Sequence, residues 1–118
     1  MSEHRLHIIV NGSLKMSHGK VTAQVAHASS RVTERMIKSA RQEWEAYTRS
    51  GSAKIVHRAT EEELQQLLDI YRTHSTIWCE PIYDAGRNQV DAGSLTAIGF
   101  RPLRESDVPS LIKSLKLF

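Results

Sequence analysis

Apolar residues change their spacing several times along this chain, and each change marks an element. Leu6 to Val10 (Leu-His-Ile-Ile-Val) is a short branched run closed by Asn11-Gly12-Ser13, which predicts a buried first strand. After a loop carrying Lys15, Met16, Ser17, His18 and Gly19, the spacing turns helical from Lys20 to about Tyr47. Val21, Val25, Ala28 and Val32 follow one another at helical steps and, at about 100° per residue, share roughly 60° of circumference. They form one apolar stripe. Ser17 or a nearby loop residue is placed to cap the start, and Ser39-Ala40 marks a break or bend in a tract long for one helix. Trp44 and Tyr47 are expected to pack or anchor an edge, before a linker from Thr48 to Ser52.

Lys54 to Arg58 reads as a second strand. Thr60 and Glu63 then fit a capping box, with acidic residues in the first turn, and Leu64, Leu67, Leu68 and Tyr71 supply one helix face. Ile77 to Tyr83 is the third strand; Pro81, which lacks an N–H, belongs at an edge, bulge or strand end. A turn at Asp84 to Asn88, a fourth strand from Ser94 to Phe100 and a short helix around Asp107 to Ser114 complete the order. Strands alternating with helices imply an α/β fold, a mostly parallel or mixed sheet with helices on its faces.

Composition narrows the class. The 118 residues suit one domain, 1–118, and 40% hydrophobic with 25% charged residues excludes global disorder. No apolar run approaches the roughly 20 residues that span a bilayer, and the start is too polar for a signal-peptide core. The single cysteine, Cys79, excludes an internal disulfide and a multi-cysteine zinc site; inside an apolar strand it reads as an inert thiol. The expectation is a soluble, intracellular protein. A net charge of +3 mildly favours an anionic partner.

Candidate chemistry begins with a second stripe on the long helix. Lys20, Gln24, His27 and Arg31 share roughly 60° of circumference, about 100° around from the valines. Polar groups there lie beside the buried face, where they can rim a cleft, although on spacing alone a solvated face is the commoner arrangement. Lys20 stands at the helix start, where backbone N–H groups attract anions and a cation does not stabilise the helix. The second candidate is Asp84-Ala85-Gly86-Arg87-Asn88-Gln89, at a strand end, the place where α/β sheets bind ligands. Gly86 permits a sharp turn, Asp84 can cap it, and Arg87, Asn88 and Gln89 offer donors to phosphate or ribose. No phosphate loop, nucleophile elbow or zinc motif is present.

In this order the pieces resemble the peptidyl-tRNA hydrolases of the archaeal–eukaryotic type. Leu14 to Ala28, with Leu-Lys-Met, Gly19-Lys20, Ala23-Gln24 and His27-Ala28, resembles the first family signature, and Asp84 to Gln89 resembles the second. Gly93-Ser94-Leu95-Thr96, Pro102 and the ending Leu115-Lys116-Leu117 are also similar. The resemblance implies a three-layer α/β domain with a mixed four-stranded sheet and helices on both faces. It implies a cytoplasmic enzyme, often a homodimer, that needs no metal or other cofactor and hydrolyses the ester of peptidyl-tRNA away from any membrane. It places the family's catalytic lysine, glutamine, histidine and aspartate on Lys20, Gln24, His27 and Asp84, with Asn88 beside them as a fifth catalytic candidate; Lys15, His18, Arg31, Arg87, Gln89 and Ser94 are the candidate substrate contacts by their charge and hydrogen-bonding groups. Four positions depart from the pattern: Asn88 for threonine, His18 for lysine, Ser13 for aspartate and Arg101 for the glycine before Pro102. Asn88 keeps the alternative of a non-catalytic RNA-binding or protein-interaction module open, as the same site keeps open a small-molecule esterase.

Overall fold

The first strand, β1 (His4–Asn11), occupies the middle of the sheet in the computed structural model, which describes residues 3–86 and 90–118. It pairs in parallel with β2 (Lys54–Ala59) and antiparallel with β4 (Leu95–Phe100). The strand β3 (Cys79–Tyr83) pairs antiparallel with β4 at the sheet edge. Pro81 therefore sits in an edge strand, where its missing N–H breaks no ladder on both sides. The sheet is mixed, as expected, but has six strands among the described residues rather than four. The additions are β5 (Leu103–Arg104), against the start of β1, and β6 (Lys116–Leu117), against β2. Two-residue strands carry no alternating pattern, so nothing in the apolar spacing marks them.

Helices cover both faces. The long tract divides into α1 (His18–Ser39) and α2 (Arg41–Arg49), broken at Ala40, which leaves helical backbone at φ −150° and ψ 48°. Ser17 caps α1 by accepting from the Lys20 N–H at 3.2 Å. Val21, Ala28, Val32 and Met36 of α1 and Tyr47 of α2 are buried, the last four together with Leu6, Ile8, Trp78, Ile82 and Ala97. A Cβ on Gly99 would stand 3.0 Å from Val32 Cγ2 and 3.2 Å from the Ala28 carbonyl oxygen, so α1 rests directly on this strand. The other face is covered by α3 (Glu61–Tyr71), which begins with the expected capping box at Thr60 and Glu63. Leu64, Leu67 and Leu68 pack there against Ile9, Ile98 and Phe100.

The final helix differs from expectation. A 3₁₀ turn (Glu105–Asp107) precedes a short α4 (Ser110–Lys113), with Pro109 between them. Proline fixes φ and has no N–H, so it starts a helix more readily than it continues one. His7 and His57 are buried on the same face as Ile9 and Ala59. His7 Nδ1 lies 2.8 Å from His57 Nε2 while the ring centroids are 5.1 Å apart. Those two distances coexist only when both nitrogens lie on the line joining the ring centres. The imidazoles therefore meet edge to edge and share one in-plane hydrogen bond.

Candidate active site

The polar stripe of α1 and the end of β3 form the two walls of a cleft of about 630 Å³. Lys20, Gln24, His27 and Arg31 line one wall, and Ile82, Tyr83, Asp84 and Ala85 the other. The helical spacing of the first four points them the same way, and the end of β3 carries Asp84 to meet them. At the floor, Lys20 forms an ion pair with Asp84 Oδ1, both side chains being almost out of solvent. Gln24 Nε2 donates to the same oxygen at 3.4 Å, and the Gly86 N–H donates to Oδ2. The carboxylate thus caps its own turn and faces the helix at once. Gly86 sits at φ 76° against Ala92, which a Cβ would overlap. The hydrogen bond from Lys20 holds the Asp84 carboxyl below the ordinary 3.8, and the Gly86 N–H acts in the same direction; partial desolvation opposes both.

Gln24 is itself buried and oriented from behind. The Thr96 hydroxyl lies 2.8 Å from Gln24 Oε1, with the Ile82 carbonyl 3.2 Å away. Donation from Thr96 fixes Oε1 as the acceptor and leaves Nε2 facing Asp84. A β-bulge puts Thr96 there: Ile82 pairs with Ala97 and Tyr83 with Leu95, which leaves Thr96 as the extra residue. Thr96 and Ala97 consequently both serve the α1 side of the sheet. Spacing does not single out Thr96, because the bulge breaks the alternation that would place it. Tyr83 was also not anticipated, although its position shows in the pattern: Ile82 points inward and Tyr83, half-exposed, forms the aromatic wall of the cleft.

The other expected residues are distributed unevenly. His27 and Arg31 stand exposed along the rim. Lys15 is exposed on the loop before α1 and is absent from the cleft lining. His18 faces a neighbouring groove with Val21, Thr22, Val25, Val56 and Phe118, being two residues and hence over half a turn from Lys20. Ser94 acts through its backbone, its carbonyl accepting from the Asp84 N–H at 2.9 Å. Arg87, Asn88 and Gln89 lie outside the described residues. Cys79 is buried and its thiol is pushed up to about 12 by burial, in keeping with an inert role. Among the described residues no three His, Cys, Asp or Glu side chains cluster in a way that could hold a metal ion.

A family model described as Peptidyl-tRNA hydrolase PTH2 matches residues 4–118. A Methanococcus maripaludis protein named peptidyl-tRNA hydrolase is 35% identical over 112 residues, covering 93% of this chain and 95% of the relative. One of the same name from Sulfolobus acidocaldarius is 33% identical over 120 residues, covering 96% and 98%. A probable peptidyl-tRNA hydrolase 2 from Schizosaccharomyces pombe is 34% identical over 118 residues, and the match covers 94% of this chain and 54% of that protein.

Proposed function

The chain belongs to the peptidyl-tRNA hydrolase PTH2 family, and on that premise we propose how its cleft hydrolyses the ester joining a peptide to the terminal ribose of tRNA. The observation that carries the proposal is the Lys20–Asp84 ion pair at the floor of an open cleft. Ester hydrolysis needs a positioned water and a cation or donor for the oxyanion. Asp84 orients the water through an oxygen not saturated by Lys20. The water attacks the ester carbonyl carbon, and charge grows on the carbonyl oxygen. Lys20 turns toward that oxygen as it becomes negative. Collapse releases the peptide acid, and the ribose oxygen leaves with a proton derived from the water. Because Lys20 lowers the Asp84 pKa, the carboxylate is a weak base, and its main contribution is electrostatic and positional.

Gln24 holds Asp84 and the water, His27 supports the rim, and Asn88 contributes its amide in the place of the family's threonine. Lys15, His18, Arg31, Arg87, Gln89 and Ser94 serve the substrate. The whole chain, 1–118, acts as one domain, as a homodimer in the cytoplasm, where aborted translation leaves its substrate. Both of these last points rest on the family resemblance; a solution mass of twice 13.3 kDa by light scattering supports the dimer, and a monomer mass refutes it.

Purified protein is mixed with N-acetylaminoacyl-tRNA and the released tRNA is measured, with Asp84→Asn as control. Release by the wild type and its near-complete loss in the variant are expected. No release by the wild type leaves a binding module instead.

A further inference from the structure

The face of α1 that lines the cleft continues beyond it. Arg31, at the far end of the cleft, also lines a second recess of about 360 Å³ with Glu34, Arg35, Lys38, Ser39 and Glu80. The two hollows therefore meet at one side chain. Arg35 is fixed there: its guanidinium lies 3.9 Å from the centre of the Trp78 ring and its Nη1 3.5 Å from Glu80. A guanidinium already held over a ring and against a carboxylate loses little further entropy when its remaining N–H groups are engaged. Arg31 and Lys38 are exposed and make no ion pair with a described residue.

Charge singles out the same helix. Four basic residues of α1, Lys20, Arg31, Arg35 and Lys38, share the helix with one acidic residue, Glu34, and at the recess Arg31, Arg35 and Lys38 outnumber Glu34 and Glu80 by one. The formal charge of α1 is therefore +3, equal to that of the whole chain, and everything outside α1 sums to zero. The recess lies far from the N-terminal end of α1, where the helix dipole would favour an anion, so an anion is drawn to it by side chains alone. At 1.5 Å per residue, Arg31 lies about 16 Å and Lys38 about 27 Å along the helix from Lys20. That span suits a polyanionic strand several nucleotides long better than a single small anion.

We propose that the recess at Arg31, Arg35 and Lys38 binds phosphodiester groups of the nucleic-acid strand that leads away from the ester. This rests on the hydrolase reading of the cleft. It gives the substrate a direction: the nucleic acid runs along α1 toward its C-terminal end, and the peptide leaves past Gly19 and Tyr83 at the other end of the cleft.

The test measures binding of uncharged tRNA by fluorescence anisotropy across a salt series, for wild type, Arg31→Glu, Lys38→Glu and Arg72→Glu. Arg72 follows α3 on the opposite face of the sheet, so its reversal matches the charge change without touching the recess. Arg31→Glu and Lys38→Glu should each weaken binding about ten-fold at low salt, and each should flatten the salt slope by about 0.7 to 0.9 for the lost contact. Arg72→Glu should change binding little. Equal losses in all three variants would reduce the effect to net charge, and no loss would remove the subsite; either overturns the proposal. With N-acetylaminoacyl-tRNA, Lys38→Glu should act through KM, and a loss confined to kcat also overturns it. If the binding pattern holds but the wild type releases no tRNA, the hydrolase reading fails and the phosphodiester subsite stands.

Discussion

The two carboxylate oxygens of Asp84 have separate tasks, one holding the Gly86 turn and the other facing Lys20 and Gln24. Asp84→Asn keeps the size and loses the charge, so kcat should fall by about 10²- to 10⁴-fold while circular dichroism stays unchanged. The Asp84 carboxyl titrates below 3.8, so it is ionised at every pH above that value. A profile of kcat/KM against pH should therefore show no Asp84-dependent acidic limb above about pH 5; a limb near neutrality, abolished with Asp84, would contradict the assigned role. Thr96→Val should leave Gln24 Oε1 without its buried donor and cost about 1–3 kcal/mol in a urea titration. It should also lower kcat, whereas Thr96→Ser should retain both stability and kcat. Lys20, Gln24, His27 and Arg31 were legible in the sequence because one helical period orders them. Asp84 was legible because it follows an apolar strand. Thr96 belongs to the family-like run Gly93 to Thr96, but its contact with Gln24 was not legible, since its direction depends on a register shift between two strands that no residue type on either strand requires.

At the scale of elements, legibility follows the strength of local chemistry. The start of α3 shows in Thr60 and Glu63, whose side chains and backbone cap each other reciprocally at 3.2 and 2.8 Å. Thr60→Ala should cost about 1 kcal/mol of stability, read from the urea midpoint at constant m-value. The break at Ala40 was visible as an interruption of a long helical tract, while the splitting of the last helix around Pro109 was not resolved into its two turns. The short strands β5 and β6 are products of tertiary pairing and have no local signal. Contact between α1 and β4 is equally hidden, because a glycine in a strand does not announce what lies above it. Gly99→Ala should push Val32 and the Ala28 carbonyl outward and destabilise the fold by about 1–3 kcal/mol. Since the same helix carries Lys20 and Gln24, the loss of turnover should exceed what the unfolded fraction explains.

For the molecule as a whole, the buried histidine pair sets how stability responds to acid. Burial, with a smaller contribution from His57, lowers the His7 pKa to about 4, and burial lowers that of His57. Arg5 opposes protonation of His7 and Glu105 favours it. Their folded pKa values lie below the ordinary 6.5, so the unfolded chain takes up more protons on the way down from pH 6.5 toward about 4. Stability should decline through that window and level off beneath it. Replacing both histidines by leucine should make the urea midpoint less sensitive between pH 7 and 5; His4, whose pKa burial also lowers, accounts for part of the remaining slope. An unchanged slope would exclude the pair as its source. The central place of β1 has a further consequence, for the order in which the chain is made. Ile8 lies between Val56 and Gly99, so the earliest strand to be synthesised waits longest for its second neighbour. Such distant pairing is slow to form. Lys20 and Gln24 wait in the same way for Asp84 and Thr96. A nascent chain halted before β3 carries the cationic half of its cleft with no buttress behind it and an open edge on β1, which should leave incomplete copies inert and prone to association.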